Sequence, residues 1–406
     1  MARTALGLVL GTAVLGASAC GPVASASLST VDLPDDSRAT IAALPVAEGR
    51  VSPDQRIVIT ASDGRLADVT VVGPKGPMRG DLSEDGTVWT ARRASLDFGA
   101  RYTVAATAID PRGATTTVSR EIRTVEPSEF FTATVSPGKG ETVGAGMPIT
   151  VTFDRPVRNR GDVERALVVS TTTPVVGAWS WRSPTEVQFR PRKYWPGNTE
   201  VTVSLDLKGV KARKGIYGKA NRDVAFSIGP RMVTRVNALT HTARVFRDGE
   251  LIRTLPITTG KEGFETRSGV KVIVSKERSR IMDAATGGTA EGDPEYYRVE
   301  AEYAMRVTYS GEFLHAAPWS VGSQGYANVS HGCIGMSTSN AAWLYELSSV
   351  GDVVEVTGTD AEQNLGNGIT VWNESWDDWL AGSTAGPITT SVIAGASAAP
   401  ASYVRW

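Results

Sequence analysis

The 406 residues carry 42 Lys and Arg against 43 Asp and Glu, a formal net charge of -1. A chain of this length exceeds one compact core and implies two to four domains at roughly 100 to 200 residues each. The near balance of charge, with no run of Lys or Arg, excludes the electrostatic footprint of a nucleic-acid binder.

The chain opens MARTALGLVLGTAVLGASACG, with one Arg, an apolar run from Ala5 to Ala17 and small residues up to Cys20. This run is too short and wrongly flanked for a stable membrane span, and residues 1–20 read as an export signal. Ala17-Ser18-Ala19-Cys20-Gly21 resembles a bacterial lipobox. That implies diacylation of Cys20 and anchoring at the outer face of the cytoplasmic membrane, in a periplasm-like space; an ordinary signal peptide cut nearby is the alternative. Residues 21–37, rich in Ser, Ala, Asp and Pro, read as a flexible tether.

From 38 to 125 the chain runs in short alternating stretches, RIVIT, ADVTVV, TVWTA, RYTVAATAI and TTTVSREI, punctuated by Gly, Pro and Asp. Alternation of period two with frequent turns predicts an antiparallel β-sandwich. The plan returns over 126–230 in PITVTFDRPV, TEVQFRPRKYWPGNTEVTVSLD and RDVAFSIG. The spacing of about 100 residues predicts two tandem immunoglobulin-like modules, neither stapled by cysteine.

Strand patterns continue over 231–357, giving a mainly β fold class for the whole chain. The exception is TSNAAWLYELSS, where Trp343, Leu344 and Leu347 share a helical face and Ser337 or Ser339 supplies a cap. A small subdomain over 358–386 carries Trp372, Trp376 and Trp379 at i, i+4 and i+7, which predicts a helical stripe packed on a neighbouring domain. Residues 387–406 read as a disordered tail.

Of the two cysteines, only Cys333, in SHGCIGMS, lies beyond the export signal. An unpaired thiol in an oxidising compartment is a liability, which favours a chemical use over packing. A thiol needs a base to be mostly thiolate at neutral pH, and two of the three histidines stand near Cys333 in sequence. His331 lies two residues before it, which in an extended stretch sends both side chains to one face. His315, in EFLHAAPWS, reaches the same thiol if the two segments are neighbours. Gly332 and Gly335 permit tight backbone with exposed N–H groups, as an oxyanion hole requires. This is the minimum equipment for making and breaking a thioester. A buried inert cysteine remains the alternative. Zinc is the weaker reading, because no carboxylate or second thiol stands at matching spacing.

HAAPWSVGSQGYANVSHGCIGMS, residues 315–337, resembles the signature of the L,D-transpeptidases, and the order of parts is similar to the actinobacterial type with two immunoglobulin-like domains. The resemblance implies peptidoglycan stem tetrapeptides as donor and acceptor, no metal or organic cofactor, 3-to-3 cross-linking through a cysteine thioester, and acylation by β-lactams of the carbapenem class. It implies that Cys333 is the nucleophile and His315 the base, oriented by the carbonyl of Ala316. His331 and Gly332 shape the site, and the N–H groups of Gly332 and Cys333 face the oxyanion. Tyr297 and Met282 match lid contacts, residues 282–295 a mobile lid, and Ser310 and Gly311 a substrate-lining turn. Gly335 departs from the pattern, since relatives usually carry there an Asn that contacts substrate. Two alternatives stay open: an L,D-carboxypeptidase using the same cysteine, and a non-catalytic wall-binding lipoprotein.

Overall fold

The structure is a computed structural model that describes residues 36–44, 50–93 and 95–393. The export signal, Cys20 and nearly all of the tether lie outside the described residues, as do residues 394–406.

The first module is two facing sheets. One orders the strands Thr40–Leu44, Val58–Ser62, Val88–Ala91 and Gly80–Leu82; the other centres on Arg65–Gly73, Arg101–Ile109 and Thr115–Thr124. Alternation places the inward side chains: in Arg101–Ile109, Tyr102, Val104, Ala106 and Ala108 are buried, while the residues between them reach the outer face. Ile57, Ile59, Trp89, Leu96 and Ile122 complete this core.

The second module has two five-stranded sheets around Phe131, Phe153, Trp179, Phe189 and Trp195. It departs from the sequence reading in two ways. A six-residue helix, Arg160–Arg165, buries Val163 and Glu164, although RGDVER is too short to show a period. Each sheet also ends in a strand from the far end of the chain. Ile388–Thr389 pairs with Val176–Ser183, and Ser391–Val392 runs parallel to Leu167–Thr171. Residues 388–392 are therefore an integral part of the second sandwich and not a disordered tail.

The third domain packs a five-stranded sheet against a four-stranded one. The second sheet orders Ser275–Asp283, Arg298–Arg306, Phe313–Ala316 and Ile334–Met336. The helix Thr338–Leu347 starts where Ser337 accepts a hydrogen bond from the Asn340 N–H, and it buries Ala341 and Leu344 in the shared core. Backbone bonds from Gly144 to Val350 and from Gly146 to Gly351, both 2.8 Å, join this domain to the second module.

The tryptophan stripe is not one helix. Trp372 sits in a 3-10 turn, Val371–Asn373, and Ser375 caps a separate helix, Trp376–Ala381. The three rings converge on the Arg190 guanidinium, with centroids 5.1, 5.2 and 4.9 Å away. Burial holds Arg190 at a pKa of about 10, with the Glu374 carboxylate opposing that shift, so it remains a cation inside an aromatic cage. Trp379 Nε1 donates to the Ala178 carbonyl at 2.9 Å, and Trp372 Nε1 to Gly146 at 2.7 Å. The stripe thus docks the subdomain on the second module.

Candidate active site

The two halves of the signature meet as neighbouring strands. Phe313–Ala316 pairs in parallel with Ile334–Met336, with His315 opposite Gly335. That register carries Cys333 beside Phe313 and sets His315 two residues further along the same face. Gly335 is bonded in both directions to Thr258 on its other side, at 2.9 Å each way.

His315 is 5% exposed, and its Nδ1 donates to the Ala316 carbonyl at 2.8 Å. Burial lowers its pKa below the usual imidazole value, with the Ala316 carbonyl opposing. At neutral pH the ring is uncharged and holds its proton on Nδ1, leaving Nε2 as a free acceptor. Trp319 lies against it, with ring centroids 5.9 Å apart.

Cys333 is 8% exposed and packs with Met282, Tyr297, Val299, Ala301, Ala304 and Phe313. Burial pushes its thiol up to about 11; the Glu312 charge adds to the shift, and a Phe313 backbone hydrogen bond with the Lys271 and Arg306 charges opposes it. The resting group is therefore a thiol and not the thiolate expected from the residues alone. His315 must take the proton during attack.

Two further expectations are corrected at the turn before the nucleophile. Ser330 Oγ donates to the Cys333 carbonyl at 2.7 Å and accepts the Gly332 N–H at 3.2 Å, so that N–H is not free for an oxyanion. The Cys333 N–H has no acceptor among the described residues. Gly332 sits at φ +109°, in the region that favours glycine, and this breaks the extended geometry that would have sent His331 to the same face as Cys333. The His331 ring instead lies between Phe264 and Tyr297, with centroids 4.6 and 4.8 Å away, and its Nε2 is 2.7 Å from Glu295 Oε2.

Met282 and Tyr297 pack in the same cluster as the thiol, and burial raises the Tyr297 hydroxyl above its usual pKa, keeping it a donor. The Gly311 carbonyl lies 3.7 Å from Cys333 Sγ. Ser310 bonds Asn367 of the C-terminal subdomain, its N–H donating to Oδ1 at 2.9 Å and its Oγ accepting from Nδ2 at 2.8 Å. The sequence reading passed over a buried ion pair, Lys271 with Glu312, joined by Arg267 at 3.0 Å. Glu312 Cγ lies 3.9 Å from where a Cβ on Gly332 would stand, directly under the nucleophile turn. No local spacing signals a pair 41 residues apart.

A family model for the L,D-transpeptidase catalytic domain matches residues 232–356, and a bacterial Ig domain model matches residues 48–211. L,D-transpeptidase 2 of Mycobacterium tuberculosis (strain CDC 1551 / Oshkosh) is 38% identical over 334 residues, 82% of this chain and 81% of that protein. L,D-transpeptidase 5 of strain ATCC 25618 / H37Rv is 33% identical over 347 residues, 83% of this chain and 75% of that protein. A solved L,D-transpeptidase structure in complex with imipenem is 40% identical, covers 55% of this chain and 97% of its own, and superposes with a TM-score of 0.48.

Proposed function

The chain belongs to the L,D-transpeptidase family, and from that premise we propose that it forms 3-to-3 cross-links between peptidoglycan stem peptides through an acyl-enzyme on Cys333. The observation that carries the residue assignment is the parallel pairing that sets a neutral, carbonyl-oriented His315 on the face of Cys333.

Cys333 Sγ attacks the carbonyl of the third residue of a donor tetrapeptide while His315 Nε2 takes the thiol proton. The Cys333 N–H faces the developing oxyanion. The C–N bond to the terminal D-Ala breaks as His315 returns the proton to the leaving amine, and a thioester remains. An acceptor amine then forms the new amide, its proton passes to His315 and on to the departing sulfur, and the C–S bond breaks. Water in place of the amine yields a tripeptide. The same thiol would be acylated by carbapenems, which present a strained acyl carbon to it. Export and an anchor at Cys20 are supported by the N-terminal residues and place the enzyme where its substrate is.

The test is mass analysis of products from a disaccharide-tetrapeptide, beside Cys333→Ala. A Cys333-dependent dimer lacking one D-Ala supports cross-linking, a tripeptide monomer turns the reading to the carboxypeptidase, and no Cys333-dependent product overturns both.

A further inference from the structure

Thr266 is fully buried, and its hydroxyl is committed on both sides. The Gly260 N–H donates to Thr266 Oγ1 at 2.9 Å, so the hydroxyl's own hydrogen goes to the Gly332 carbonyl, 2.8 Å away. No other donor among the described residues reaches that carbonyl. The Gly332 carbonyl and the Cys333 N–H belong to one planar trans peptide unit, in which they point in opposite directions. Holding the carbonyl therefore sets the direction of the N–H. Gly332, at φ +109°, has no side chain to pack this unit in place, so its orientation depends on such a bond.

Thr266 is itself anchored. Its carbonyl accepts from Thr359 Oγ1 at 2.7 Å, and the next residue, Arg267, donates to Glu312 Oε1 from its N–H at 3.2 Å and from Nη1 at 3.0 Å. Lys271, whose side chain is fully buried, pairs with the other Glu312 oxygen. Charge-assisted bonds to both oxygens hold this carboxylate more firmly than neutral ones would. Glu312 in turn stands between Gly311, whose carbonyl is 3.7 Å from Cys333 Sγ, and Phe313, which packs with the thiol. Residues 266–271 thus tie the peptide that carries the Cys333 N–H to the backbone beside the Cys333 sulfur.

We infer that Thr266 is a positioning residue for acyl transfer: its hydroxyl, held in place by the Arg267–Glu312–Lys271 cluster, aims the Cys333 N–H at the oxyanion. Thr266 touches no reacting atom and acts through the Gly332 carbonyl. The role rests on the reading of Cys333 as an acyl-transfer nucleophile and on no particular stem peptide.

The test compares two reactions of Cys333 in the full chain, each read on the Cys333 peptide by mass spectrometry. Acylation by a carbapenem passes through an oxyanion, whereas alkylation by iodoacetamide displaces iodide from a saturated carbon and does not. Thr266→Val removes the hydroxyl at nearly constant shape and should slow acylation roughly 10- to 100-fold, with alkylation within about twofold of the parent. Thr266→Ser keeps the donor and should match the parent in both reactions; Thr266→Ala makes the same removal if valine is not accommodated. Thermal unfolding confirms that each variant is folded. Equal losses in both reactions would reduce Thr266 to packing and overturn the inference. So would undiminished acylation, a Thr266→Ser variant as slow as Thr266→Val, or a parent chain that is alkylated but never acylated. No stem peptide is used, so a parent that a carbapenem acylates but that releases no D-Ala from a tetrapeptide overturns the proposed reaction and leaves the role of Thr266 standing.

Discussion

His315 and Cys333 stand two residues apart on the same face of adjacent parallel strands, and each is buried in its uncharged form. Burial pushes the two pKa values apart in the direction opposite to a resting thiolate–imidazolium pair. Proton transfer is therefore part of the attack and not a preceding equilibrium.

The pH dependence of acylation follows. General-base attack needs neutral His315 and protonated Cys333. The single-turnover rate should rise through an inflection below pH 6.5 and stay flat towards the thiol titration at about 11. An inflection between pH 7 and 9 would instead report a preformed thiolate. His315→Gln should slow the step by roughly 10²- to 10⁴-fold and abolish the rise below pH 6.5.

Gly335 is a steric choice as well as a missing contact. A Cβ there would stand 3.0 Å from both Ala317 Cβ and Thr258 Cγ2. Gly335→Asn should destabilise the catalytic domain by about 1–3 kcal/mol in urea unfolding, Gly335→Ala should show most of that loss, and adding Ala317→Gly should recover part of it. An unchanged midpoint would show that the neighbours yield freely.

Asp352 lies at the junction with the second module, 2% exposed, with Oδ2 accepting the Ser349 N–H at 2.7 Å and Oδ1 without a partner among the described residues. Burial pushes its carboxyl up to about 7, with the Ser349 hydrogen bond and Lys276 opposing. The folded chain keeps this proton after the unfolded chain has lost it, so stability from this group falls as pH rises from about 4 to about 7. Asp352→Asn should match the parent near pH 4 and exceed it at pH 8 by on the order of 1–3 kcal/mol, read by thermal unfolding. A difference that does not vary with pH would show that Asp352 is ionised in the fold.

Glu164 ties the far end of the chain to the second module. Its buried carboxylate accepts from Ser383 Oγ at 2.6 Å, Thr384 N at 2.9 Å, Thr384 Oγ1 at 2.5 Å, Ala385 N at 3.1 Å and Trp181 Nε1 at 3.1 Å. Thr384→Val keeps the shape and removes one bond to this charge, and should lower stability by about 1.5–3 kcal/mol. A chain ending at residue 382 should unfold its second module at lower urea than the full chain; coincident transitions would contradict the shared sheets.

What was legible beforehand was local. RYTVAATAI shows its alternation in nine residues, and Ser337 its cap in four, because strand faces and helix starts are set by near neighbours. The Trp spacing pointed correctly to docking but not to one helix, since Ser375 restarts the backbone inside the stripe. The two C-terminal strands are each two residues long, too short for a period, and exist only through their partners. The surroundings of His331 were not legible because they depend on the positive φ of Gly332 and on Glu295, 36 residues earlier. The pairing of His315 with Cys333 was expected from the motif, but the protonation states were not, because they depend on burial, for Cys333 among residues such as Met282 and Tyr297 that lie far from it in sequence.

The most direct test of the central claim is intact-mass and peptide-level mass spectrometry of the chain, quenched soon after mixing with a tetrapeptide donor. The account predicts an added mass equal to the stem without its terminal D-Ala, located on Cys333, absent in Cys333→Ala and slow to form in His315→Gln. No adduct on a folded chain, or an adduct on any other residue, would contradict it.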